Sequence, residues 1–244
     1  MAQPQIWSPY CGIAPTPLEW LARWNLDPVL IAVLAAGALA AARLPAPERR
    51  YAWAAAAVLA VLFVSPLCAL SSALFSARVT HHVLLVGLAA PLIARALQPW
   101  TARLPGGPLA WTAVHAAIFW LWHAPSPYAA ALSSDSLYWL MQLSLLGGAA
   151  AFWTSVQRAA APLAIGALFI SMVLMGLLGA LITFAGAPLF GPHLATTEPW
   201  GLTGLEDQQL AGLIMWAPAS GIYLAAALAR MARLIGPDAE PARP

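Results

Sequence analysis

The chain has 244 residues, 61% of them hydrophobic and 8% charged, with a formal net charge of +2. A soluble domain carries about a quarter charged residues, so water is not the solvent for most of this surface, and so small a net charge offers nucleic acid no footing. At roughly 20 apolar residues per membrane crossing, the expected class is an all-α polytopic transmembrane helical bundle of about seven helices. It forms one integral membrane domain over 1–244, in contact with the lipid bilayer.

In chain order, a short segment 1–26 precedes the first charge-poor apolar run. The runs then predict spans at Asp27–Leu44, Tyr51–Ser72, Val79–Leu97, Pro108–Ala124, Ser136–Gln157, Ala160–Ala185 and Gln208–Leu234. The longest connection is 186–206, rich in Pro, Gly and Thr, and a short tail 235–244 closes the chain. Every basic residue is Arg. Arg43, Arg49, Arg50, Arg95, Arg103, Arg158, Arg230, Arg233 and Arg243 fall on one side of this arrangement, and Arg23 and Arg78 on the other. Basic loops stay in the cytoplasm, so the N-terminus is expected outside and the C-terminus inside.

With that topology, four of the five histidines gather towards the outer face. His81 and His82 open the third span, His123 closes the fourth, and His193 lies in the outer loop as a solvated residue. Adjacent helical side chains diverge by about 100°, so His81 and His82 cannot both face one partner well. Asp207, Gln208 and Gln209 open the seventh span, where Asp207 is expected to cap its own helix. Imidazole and thioether ligands together suit copper. His82, His123, His81 and Asp207 are therefore the candidate metal ligands. Deeper in the bundle lie His115, Met172, Met175 and Met215. Cys11 and Cys68 share the outer side, where a disulfide, a copper pair and two unrelated thiols all remain open, unrelated thiols being the default. No GxSxG, HExxH or phosphate-loop motif appears, and no acid sits in mid-span, which points away from an enzyme.

The strings YCGIAPTP, RWNLDPVL, SALFSARVTHHVLL, FWLWHAPSPYAAAL and LEDQQLAGLIMW together resemble the multi-spanning CtaG-type cytochrome c oxidase assembly factors, in order and over nearly the whole chain. The resemblance implies a membrane chaperone of the respiratory chain. It would work with cytochrome c oxidase subunits in the bacterial inner (cytoplasmic) membrane, with copper delivery at the periplasmic side its expected task. The family's third-helix pattern is similar to HMxQH ending at His82. Arg78 stands in place of the first His and His81 in place of the Gln, and a fixed charge there works against binding a cation. Trp122-His123 and the Asp207-Gln208-Gln209 triplet match. Two other expectations compete: a copper or small-solute transporter passing cargo along His115, Met172, Met175 and Met215, and a haem-binding membrane protein ligating iron between His82 and His123.

Overall fold

The computed structural model describes residues 7, 9–101 and 104–235. Arg103, Arg243 and nearly all of the expected tail lie outside them, as do residues 1–6 and 8 of the N-terminal segment. The described residues form helices without strands: α1 (Pro28–Ala42), α2 (Ala46–Phe63), α3 (Pro66–Ala73), α4 (Phe75–Ala96), α5 (Pro108–Trp122), α6 (Pro125–Ala131), α7 (Asp135–Arg158), α8 (Ala161–Thr183) and α9 (Gly204–Ile235).

Each expected span has a helix, with three differences of detail. The second is bent by 46° where α2 gives way to α3, because Pro66 cannot donate and Ser65 caps a new start by accepting from Leu67 N at 3.2 Å. The third begins a turn before Val79, at Phe75. A short helix, α6, fills the connection after His123. Within α4 and α9 the backbone widens to π-helical turns at Leu85–Ala89 and Met215–Ala219. Pro91 follows the first and Pro218 lies inside the second, each removing a backbone donor. By length and composition, α4, α8 and α9 are each sufficient to cross a membrane, and the bent α2–α3 pair makes a fourth candidate. The helices α1 and α5 have 15 residues each, about 22 Å at 1.5 Å per residue against a hydrocarbon core of about 30 Å. The helix α7 is long but richer in polar residues.

Burial is inverted relative to a water-soluble bundle. Val29, Val33, Leu143, Leu181 and Leu213 are exposed on the outside, whereas Arg78, His81, His82, His115, His123, Gln142, Asp207 and Gln208 are buried. Such a surface requires an apolar solvent, and polar groups inside it must find partners among themselves. The helix α2 packs on α4, α4 on α7, α7 on α5, and α8 on both α5 and α9, while α1 leans on α2 at the edge. Asn25 fastens the N-terminal segment to the end of α2, donating from Nδ2 to Phe63 O at 3.1 Å and from its backbone N to Val64 O at 2.9 Å. Asp27 then caps α1, accepting from Val29 N at 2.7 Å and Leu30 N at 3.0 Å.

Helices α8 and α9 approach closely at two glycines. A Cβ on Gly212 would lie 2.6 Å from Gly179 O and 2.7 Å from Thr183 N, and one on Gly179 would lie 2.6 Å from Trp216 N. Small residues are what let two backbones meet inside a membrane. Gly212→Ala should therefore push α9 off α8, at a cost of about 1–3 kcal/mol typical of overpacking. The expected result is a lower melting temperature in mild detergent, whereas Gly147→Ala, which meets nothing within 4 Å, should melt like the parent.

Candidate functional site

Asp207 does not cap its own helix. The start of α9 is held by Thr203 and Glu206 in a reciprocal capping box. The Asp207 side chain instead reaches across to the first turn of α4, where its carboxylate accepts from Phe75 N at 2.6 Å, from Ser76 N at 3.2 Å and from the Ser76 hydroxyl. This corrects the expected role and explains why α4 begins at Phe75. A buried carboxylate, 0% exposed, satisfies amides that helix α4 leaves free and sits at the positive end of its dipole. With those donors in place, Asp207 belongs to the scaffold that sets the height and rotation of α4.

Helix α4 carries the histidines at that height. His82 Nδ1 lies 3.3 Å from His123 Nε2, the rings perpendicular and their centroids 5.1 Å apart. His123 is the C-cap of α5; its Nδ1 is 2.7 Å from Phe119 O and its ring stacks on Phe119 at 4.1 Å. A carbonyl accepts only, so His123 carries its proton on Nδ1 and presents the Nε2 lone pair to His82. His82 then donates from Nδ1, and its own Nε2 faces Gln142 Nε2 at 3.4 Å. The result is a directed chain from Gln142 through His82 and His123 to Phe119 O, linking α7, α4 and α5. His81 points elsewhere, as the 100° divergence requires. Its ring meets Phe63 of α2 edge-on at 4.9 Å, and neither ring nitrogen makes a hydrogen bond.

The other sequence candidates separate from this pair. His115 donates to or accepts from the Tyr223 hydroxyl at 2.8 Å and stacks on Phe152 at 5.2 Å. Met175 and Met215 are buried in the apolar core, with Met172 packed against it. Gln208 is fully engaged, bridging Ile182 O, Ala187 O and Leu189 N between α8 and α9, and Gln209 is half-buried. Cys68 is joined to Cys11 in a disulfide, so the two are not unrelated thiols and Cys68 is not a free ligand here. His193 is not solvated: it is 2% exposed, 2.6 Å from the Tyr128 hydroxyl and 3.3 Å from Ala73 O.

The residues that the sequence reading passed over are Gln142, Tyr138 and Tyr128. Gln142 and Tyr138, four apart on α7, meet His82 and Arg78, which are four apart on α4; the Tyr138 hydroxyl lies 3.5 Å from Arg78 Nη1 and 3.4 Å from Cys11 Sγ. An amide in an otherwise apolar run was the available signal. Among the described residues no three His, Cys, Asp or Glu side chains converge as a metal cage. Two imidazole nitrogens 3.3 Å apart nevertheless match the roughly 3.3 Å expected of two ligands bound about 2.0 Å from one tetrahedral metal. The Phe119 carbonyl behind His123 is the usual outer partner of a ligating imidazole. Axial ligation of haem iron by both rings needs roughly twice a 2.0 Å bond, more than this spacing provides.

Two outcomes follow. Asp207→Ala strands two buried amides, which should lower the melting temperature by an amount corresponding to about 1–3 kcal/mol per group, with Asp207→Asn intermediate because its carbonyl still accepts. The second concerns the loop between α8 and α9. Burial holds the His193 pKa down to about 3 from the ordinary 6.5. The opened loop thus binds a proton that the closed loop refuses, and closure is weakened as pH falls from 6.5 towards 3, by about 1.4 kcal/mol per pH unit. Proteolytic nicking within 186–203 should rise between pH 7 and pH 5, and rise less in His193→Gln.

Residues 30–236 match the family model described as cytochrome c oxidase caa3 assembly factor (Caa3_CtaG). Neither a curated protein nor a solved structure gives a significant match. The matched span contains every helix from α2 to α9 and both histidines of the pair, and the chain belongs to the cytochrome c oxidase caa3 assembly factor family.

Proposed function

We propose that this chain is a non-catalytic factor that holds copper for a haem–copper oxidase subunit, as cargo, between His82 and His123 in the outer half of the bacterial cytoplasmic membrane. The observation that carries the reading is the buried imidazole pair at 3.3 Å, contributed by two helices and backed by a carbonyl on one side and an amide on the other. Copper would replace the shared proton. His82 would carry its proton on Nε2 instead, facing Gln142, whose Oε1 is buried and has no partner and whose amide presents it by turning over. Two imidazoles leave copper under-coordinated, a state suited to a carrier that must release its cargo to a client's ligands.

A seven-span arrangement with the N-terminus outside is supported from both ends of the bundle. Arg50 and Arg95 share the Tyr51 ring, at 4.7 and 5.4 Å. Arg158 donates to Thr101 O and Arg230 to Val156 O. These arginines mark the end that the charge rule assigns to the cytoplasm. The Cys11–Cys68 disulfide ties the N-terminal segment to α3, and disulfides persist on the oxidising side of a bacterial membrane. A transport reading has less support, since His115 is engaged by Tyr223 and the void beside it and Met175 is about 10 Å³.

Protein purified in mild detergent and loaded with Cu(I) should retain copper by elemental analysis. His82→Ala and His123→Ala should each lose it, and His115→Ala should keep it. In cells lacking the gene, oxidase transcripts should persist while assembled, copper-loaded oxidase falls. Copper retained undiminished by both His82→Ala and His123→Ala, or a copper-replete oxidase in the deletion strain, would contradict this assignment.

A further inference from the structure

Among the described residues no carboxylate pairs with Arg78, whose polar neighbours are the Tyr138 and Tyr128 hydroxyls. Arg78 is 0% exposed, its Nη1 lies 3.5 Å from the Tyr138 hydroxyl, and its guanidinium sits 5.2 Å from that ring's centroid. Nε and Nη2 have no partner. Among the described residues the one ion pair is Arg23–Glu19, at the surface, and the buried carboxylate of Asp207 is taken up by Phe75 and Ser76. A fixed charge without a counter-charge is strongly unfavourable in a low-dielectric interior.

Its neighbourhood gives that imbalance a direction. Arg78 and His82 stand one turn apart on α4, and Tyr138 and Gln142 one turn apart on α7. The Arg78–Tyr138 and His82–Gln142 contacts are therefore successive rungs, with Cβ atoms about 5–6 Å apart along each helix. Gln142 also forms part of the wall of a groove of about 560 Å³ that opens between α1 and α7 and includes Phe63, Trp139 and Leu146, so the lower rung lies directly behind that groove. A bare cation arriving there is repelled by the guanidinium with little screening. An anion is attracted and finds unused N–H donors.

We propose that Arg78 forms an anion subsite beside the histidine pair, and that copper is accepted there together with an anionic copper ligand, a halide or a thiolate, seated against the guanidinium. The copper half rests on the proposed function above; the anion half does not. The exchange is redox-neutral: Cu(I) leaves its previous ligand, gains imidazole nitrogens and the anion, and a thiol serving as the anion releases its proton to solvent.

The test uses full-length protein in mild detergent. Thermal unfolding is followed as sodium gluconate is replaced by sodium chloride at constant ionic strength, and Cu(I) affinity is measured by chelator competition in gluconate, in chloride, and in gluconate with a small thiol, corrected for copper held by the free anion. Chloride should raise the melting temperature of the parent and not of Arg78→Gln. Either anion should tighten Cu(I) binding by the parent about tenfold or more, while Arg78→Gln binds without that dependence. Arg78→His, smaller and not permanently charged, repeats the comparison if the glutamine variant does not fold. Equal chloride shifts in parent and variants, or none in any, would overturn the subsite. Equal Cu(I) affinity of the parent in gluconate and chloride would overturn the coupling and leave the copper reading standing. A chloride shift that requires Arg78, with no Cu(I) binding under any condition, would overturn the copper half and leave the anion subsite.

Discussion

A single carboxylate holds the histidine-bearing half of this molecule in register. Asp207, at the beginning of α9, closes the first turn of α4, and α4 carries Arg78, His81 and His82. In water, free amides at a helix end are solvated at little cost; inside a membrane each must be met by protein. The cap is therefore a strong constraint on where α4 starts and how it is rotated. Moving that start by one residue would turn the whole helix by about 100° and carry His82 away from His123. The polar groups around it extend the same logic. Gln208, the next residue, ties α9 to the end of α8 and to the following loop, so one turn of α9 positions two neighbouring elements.

The interior that results is polar in a way that lipid makes expensive, and most of that polarity is paired. The chain from Gln142 through His82 and His123 to Phe119 O has a fixed direction because its last member only accepts. His115 and His193 are matched with tyrosines. Among the described residues the buried groups without partners include the Nε and Nη2 of Arg78, both nitrogens of His81 and the Oε1 of Gln142, all beside the histidine pair, and single oxygens of Glu48, Ser72, Gln157 and Ser171 elsewhere. Elsewhere the unpartnered groups stand singly, whereas around the histidine pair three neighbouring side chains keep unused donors and acceptors, and it is this clustering that sets the place apart from the paired network around it.

Much of the fold was legible from the apolar runs, since a helix that crosses lipid must be apolar over most of its length, and each expected span has its helix. The polar cluster was legible too: the histidines, Asp207 and the arginine in an otherwise histidine-containing pattern all stand out by being polar where polarity is costly. Partnership was not. The sequence suggests a local cap for Asp207 because capping is usually local, whereas its donors lie 132 and 131 residues away. A position among Pro, Gly and Thr suggests a solvated His193, yet the loop folds back and buries it against Tyr128. Cys11 and Cys68 are separated by 57 residues, a spacing with no signature.

What the sequence determined alone is therefore where the long apolar helices run, the membrane as their solvent and the family to which the chain belongs, because these depend on composition along a segment and on short strings of residues. The tertiary structure decided which polar groups meet. His82 pairs with His123 and not with His81, Gln142 joins them, Cys68 is closed in a disulfide, and Arg78 stays without a counter-charge. Those outcomes depend on helix rotation and depth, which are set by contacts between residues far apart in the chain, and no periodicity within one helix records them.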